Sequence, residues 1–243
     1  MSRSVPWTFV WVLAIAVAVC GCARSLPTYP TMSDADALRV IAARLDSVKS
    51  ISASTDLTLT DVSGRSVSMD GAFVASPPGQ ARLRAWKLGT PVLDITILPD
   101  GVWAFAVARN GAPVTDMAGL PANGVSKSVE FLSGAFFARA HAAEDASTRT
   151  ELVAVGSGFG SSDVRCEIDR ATLTPRRFVI GTGGTKVELS LAQYELVGDV
   201  PWARRMEFLA PTGTIVIRLA DIELNGELPA SAFVPPKRAT RLP

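Results

Sequence analysis

The side chains in this 243-residue chain best suited to nucleophilic or metal chemistry are three cysteines and one histidine. Cys20 and Cys22 stand one glycine apart in "VAVCGCAR", residues 17–24, while His141 and Cys166 lie far downstream. A disulfide across one intervening residue is strained. A zinc site built on the pair would need two more ligands, and only His141 and Cys166 are of the usual type. A serine triad would rest on His141 alone, and no serine sits in a G-x-S-x-G context. "GSGFG" (156–160) and "GTGG" (181–184) look like phosphate cradles, but each runs into an alternating strand pattern rather than a helix. They read as hairpin turns. Cys166, inside such a pattern, reads as a small buried hydrophobe. The carboxylates alternate with apolar residues, as on solvated strand faces, and form no acid–base pair. The expectation is a protein that is not an enzyme and has no metal or cofactor.

The cysteine pair has another meaning. Arg3 and the terminal amine form a positive start, "WTFVWVLAIAVAV" (7–19) is apolar, and the small residues "CGCA" follow. This is the plan of a secretory signal. A bacterial lipoprotein signal places a small residue just before the cysteine that becomes the mature N-terminus. Gly21 precedes Cys22, whereas bulky Val19 precedes Cys20. Cys22 is therefore the expected lipidated residue, with residues 1–21 removed. The rival is an uncleaved anchor, because residues 5–23 approach the length of a membrane span. No aspartate follows Cys22, so the expected address is the cell envelope, at the outer membrane facing the periplasm.

The formal charge is +1, and outside the signal 23 basic residues balance 23 acidic ones. A neutral body lacks the basic face that nucleic-acid binding requires, so no nucleic acid is expected as partner. Apolar residues make up 48% of the chain, enough for a substantial core.

The elements behind these residues follow from periodicity. Residues 22–32, with two prolines, read as a flexible tether to a single domain spanning 33–243. Ser33 and Asp36 form a capping-box pattern. Leu38, Ile41, Leu45 and Val48 then give a helical apolar stripe. From Ser52 the period is two, with Gly, Pro and Asp turns, as in an antiparallel meander. "RNGAPVTDMAGLPANG" (109–124) reads as a long binding or lid loop. A helical insert is expected from about Ser126, with His141 near its end. Later strands slip phase twice. Val187, Leu189 and Leu191 share parity but Tyr194 and Leu196 do not. Ile215, Ile217 and Leu219 share parity but Ile222 and Leu224 do not. Such slips mark β-bulges, which bend a sheet.

Four segments carry a resemblance. They are "ALRVIAARLDSVKSISASTDLTL", "WKLGTPVLDITILPDGVWAF", "GVSKSVEFLSGAF" and "PWARRMEFLAPTGTIVIRLADIELNGELPASAFVPP". In this order the chain resembles the LolA/LolB-like superfamily of envelope lipid and lipoprotein carriers. The resemblance implies an α+β, mainly antiparallel fold: a strongly curved half-open β-barrel with helices covering the concave side. It implies an apolar cavity for lipid or for the acyl chains of lipoproteins, with a periplasmic carrier protein as further partner. It also implies a leucine on an early loop that meets the bilayer, and Leu88 is the matching position. The large residues on strand faces are the candidate cavity lining: Leu93, Ile95, Ile97, Trp103, Phe105, Met206, Phe208, Ile215 and Ile217, with Leu132 and Phe136 from the insert. A structural or sensing lipoprotein that binds a protein partner through the same fold is the alternative.

Overall fold

The computed structural model describes residues 25–106, 129–157, 163–181 and 186–242. The signal segment with Cys20 and Cys22, the loop 109–124, the first residues of the insert and most of both glycine-rich turns lie outside the described residues.

Residues 25–32 have no regular structure but are not a free tether. The Tyr29 amide donates to Ala171 O (2.8 Å), and Tyr29 and Met32 pack on the core. Helix α1 follows at Asp34–Asp46. Ser33 caps it, its Oγ accepting from the Asp36 amide (3.1 Å). The stripe of Leu38, Ile41 and Leu45 is buried, as is Val48 just past the helix end.

Among the described residues thirteen strands form one sheet. They are β1 (Ile51–Asp61), β2 (Ser66–Ser76), β3 (Gln80–Lys87), β4 (Thr90–Leu98), β5 (Gly101–Ala106), β6 (His141–Ala142), β7 (Glu151–Ser157), β8 (Asp163–Asp169), β9 (Thr174–Ile180), β10 (Val187–Val197), β11 (Val200–Ala210), β12 (Gly213–Leu224) and β13 (Thr240–Arg241). The order is β13-β5-β4-β3-β2-β1-β12-β11-β10-β9-β8-β7-β6, with antiparallel pairing throughout. Two meanders of sequential hairpins, β1–β5 and β6–β12, are thus joined by the single pair β1–β12. The sheet is open, with β6 and β13 at its edges.

Both phase slips have a backbone cause. In β12, Asp221 has φ 48° and the register against β1 shifts between Ser52 and Ser54, which is a bulge. In β10, Gln193 has φ 57°, yet the pairing with β11 keeps one register on both sides of it. There the two strands change face together, without an inserted residue.

The insert differs from expectation. Val129–Leu132 is a 3-10 turn, and turns follow up to Arg139 rather than a continuous α-helix. His141 is exposed on β6 instead of ending a helix. Two contacts compete with helical geometry. Phe136 and Phe137 are drawn into an aromatic cluster with Phe131 and Phe178, centroids 4.4–6.1 Å apart. Gly134 lies so close to α1 that a Cβ there would sit 2.2 Å from Ala42 O, while its amide donates to Asp46 Oδ1 (2.9 Å). Among the described residues α1 is therefore the one α-helix, and the expected covering of the concave side by helices is not seen.

Candidate functional site

Residues directly opposite one another in a sheet share a face. Phe73, Leu83 and Ile95 are consecutive partners across β2, β3 and β4. Leu191, Met206 and Ile217 are partners across β10, β11 and β12, as are Leu189, Phe208 and Ile215. Ile217 faces Leu57 on β1, which joins the two sets into one inner surface. Period-two alternation in each strand puts an apolar side chain at each of these positions.

The two halves of this surface border a cavity of about 130 Å³. From β3 and β4 come Leu83, Ile95 and Ile97, and from β10–β12 come Leu189, Leu191, Met206, Phe208, Ile215 and Ile217. Leu45 and Arg44 of α1, with Phe131 and Leu132 of the insert, complete the wall. Among the described residues the wall is almost wholly hydrocarbon, so the cavity suits an alkyl group.

Seven of the expected lining residues meet there: Ile95, Ile97, Leu132, Met206, Phe208, Ile215 and Ile217. Four do not. Leu93 shares the inner face but is packed away from the cavity. Phe136 is buried in the aromatic cluster. Trp103 and Phe105 pair with Thr96 and Asp94, so they lie on the opposite face of the sheet from Ile95 and Ile97. Alternation separates the two faces of a strand, but only the pairing shows which face is inside. Phe73, Leu83, Leu189, Leu191 and Trp202 were missed as wall residues; their rows are visible only once the register is known.

The opposite face is not simply solvated. Asp94 is 4% exposed and Arg82 9%. Arg82 grips Asp94 through Nε–Oδ1 (2.9 Å) and Nη2–Oδ2 (2.8 Å), and Arg84 Nε reaches Asp94 Oδ2 at 3.1 Å. The C-terminal segment closes over the group, with Ala232 O accepting from Arg82 Nη1 (3.1 Å). This returning segment is what buries charges that the sequence pattern assigns to solvent.

Polar groups at the cavity are few. The Tyr194 hydroxyl donates to Pro175 O (2.5 Å), and burial pushes its acidity far below that of an ordinary phenol. Arg44 donates through Nη2 to Leu173 O, while its Nε and Nη1 are buried without a protein acceptor among the described residues. Cys166 is fully buried, and burial holds its thiol protonated well above the usual range. Among the described residues no cluster of His, Cys, Asp or Glu could hold a metal ion.

Leu88 occupies the tip of the β3–β4 hairpin. It is 94% exposed at φ 51°, followed by Gly89 at φ 77°. Paired positive-φ residues suit a tight hairpin, but a leucine there meets steric cost and gains no burial.

Solved structures share this fold. This chain has the fold of the LolA superfamily. A LolA superfamily protein from Nitrosomonas europaea superposes with TM-score 0.56 at 13% identity, covering 81% of this chain and 96% of that one. A DUF1329 family protein from Desulfovibrio piger gives TM-score 0.59 at 9% identity, covering 82% and 95%. A domain described as an outer membrane lipoprotein-sorting protein, from Vibrio parahaemolyticus, gives 0.56 at 12%, again covering 82% and 95%. No protein-family model matches the sequence, and no curated protein matches it. At these identities the likeness is one of fold.

Proposed function

We propose that this chain is a lipid-anchored envelope lipoprotein that binds lipid, or the acyl chains of lipoproteins, in the cavity between β2–β4 and β10–β12. It would act as a carrier or receptor at the outer membrane facing the periplasm, with a periplasmic carrier as partner and without a catalytic step. The observation that carries this reading is the continuous apolar inner wall facing open space. The lipoprotein-sorting description of the Vibrio structural neighbour supports it, as does the signal pattern ending at Cys22. The exposed Leu88 fits a bilayer contact, since a hairpin-tip leucine has nothing else to bury against.

Mass spectrometry of an organic extract of the purified domain is the test, and co-purifying acyl chains are expected. A domain that carries none, and after delipidation binds no fluorescent fatty acid, refutes the reading. Cys22→Ala should release the protein from membranes, and Leu88→Asp should weaken its flotation with vesicles. Unchanged partitioning in either case removes that part of the reading.

The cavity's size favours keeping a second reading. An engineered cavity of roughly 150 Å³ takes one benzene, so 130 Å³ holds a segment of an alkyl chain rather than a whole one. A structural or sensing lipoprotein whose interior stays filled would show no chain-length dependence of ligand binding, and crosslinking would recover a protein partner instead.

A further inference from the structure

We infer that Arg44 is the head-group anchor of the cavity, so that the preferred ligand is a single-chain amphiphile with an anionic oxygen head group, a carboxylate or a phosphate. This rests on the lipid-binding reading above and adds to it which end of the ligand is recognised, and by what.

Among the described residues two arginines border the cavity. The Arg82 side chain lies on the opposite face of the sheet, its guanidinium held by Asp94 and Ala232 O. Among the described residues the Arg44 guanidinium makes one hydrogen bond, from Nη2 to Leu173 O. Its Nε and Nη1 are buried and find no protein acceptor among the described residues, although together they carry most of the N–H groups of the guanidinium. No carboxylate among the described residues forms an ion pair with it within 4.0 Å. Buried donors of a charged group are rarely left unpaired, because desolvation then goes uncompensated. A purely structural arginine at this site would be expected to have a carboxylate partner, as Arg82 does.

The position is also suitable. Arg44 lies one helical turn after Ile41 and directly before Leu45 on α1, and both of these are core residues. The charge therefore sits at the seam between helix and cavity, fixed by the backbone on both sides. Tyr194 feels its field, but the Tyr194 hydroxyl is committed to Pro175 O and does not serve as acceptor from Arg44. An amphiphile with its tail along Met206 and Ile217 could place an anionic oxygen against Nε or Nη1. Charge-assisted hydrogen bonds of this kind are the strong ones.

The test compares decanoic acid, decyl phosphate and methyl decanoate on the delipidated domain by calorimetry at pH 8, where the acid is ionised. Arg44→Met removes the donors and keeps a long apolar stem, and Arg44→Lys keeps the charge. Wild type should bind one or both anions about tenfold more tightly than the ester. Arg44→Met should erase that preference, lowering anion affinity by far more than ester affinity, and Arg44→Lys should restore part of it. Whichever anion shows the preference identifies the head group. Equal affinity for acid, phosphate and ester in the wild type overturns the assignment. So does an Arg44→Met variant that loses ester and anion binding in proportion, because that is a structural effect. Failure of the wild type to bind any of the three would instead refute the lipid-binding reading, and this inference with it.

Discussion

Filling the cavity should separate binding from folding. Ile217 stands on β12 between Met206 and Leu57, at the middle of the inner wall, so a larger side chain there extends into the 130 Å³ of open space. By comparison with a benzene-sized cavity, that space takes roughly six carbons. At about 0.8 kcal/mol for each buried methylene, it is worth about 5 kcal/mol, or between three and four decades in affinity. Ile217→Trp should therefore weaken binding of a long saturated fatty acid by on the order of a thousandfold. Overpacking costs about 1–3 kcal/mol at most sites, so the urea midpoint should shift modestly while the transition stays cooperative. Displacement of a fluorescent fatty acid measures the first quantity and circular dichroism in urea the second. In the wild type the affinity should climb about fourfold per added methylene over roughly six carbons and then flatten. A tryptophan variant that binds like the wild type, or wild-type affinity independent of chain length, would refute the placement of the site. A slope that continues unbroken through long chains would refute the fixed size of the cavity.

Three further outcomes follow from other parts of the structure. Asp94→Ala leaves Arg82 and Arg84 without their shared carboxylate under the C-terminal segment; loss of about 3–5 kcal/mol is expected in urea unfolding, and a change below about 1 kcal/mol would contradict the burial of this group. Gly134→Ala would drive a methyl group into Ala42 O, so the insert should detach from α1; faster amide exchange at Phe136 and Phe137 is the expected sign, and unchanged exchange would count against the close approach. Asp61 accepts from the Ser63 hydroxyl and from Arg65, which lowers its carboxyl pKa to about 2. A depressed folded-state pKa favours the folded form above the unfolded value near 4 and loses that contribution as pH falls toward 2. A carboxyl NMR titration should therefore show a midpoint near 2 that rises in Ser63→Ala, and a midpoint near 4 in the wild type would be the contrary result.

The parts of the fold legible in the sequence are those with local causes. The α1 stripe and its Ser33 cap, the hairpin turns and the two phase slips all leave a periodic trace within a dozen residues. What failed to show depends on contacts between distant segments. The insert looked helical because Leu132, Phe136 and Ala140 recur at helical spacing, but Phe178 and Asp46 reorganise it. Trp103 and Phe105 were drawn to the cavity by size, and one register statement moves them to the other face. Asp94 read as solvated until Ala232 and its neighbours returned to cover it. For Arg44 the available signal was a long cation beside the apolar stripe of α1, and spacing alone did not distinguish it from a surface charge.

The sheet order has a bearing on how the molecule comes to exist. Every neighbour in it is a sequential hairpin except β13–β5 and β1–β12. Each meander can zip from its own turns, but Leu57 and Ile217 come together only after nearly the whole chain has been made. That one seam sets a high contact order, and non-local pairing of this kind is slow. Before it closes, each meander carries half of an apolar wall facing water, which is the surface that aggregates or recruits a holdase. The cavity is therefore a late event in assembly: it has no ancestor in either half, and any lesion that opens the β1–β12 seam abolishes it outright rather than enlarging it.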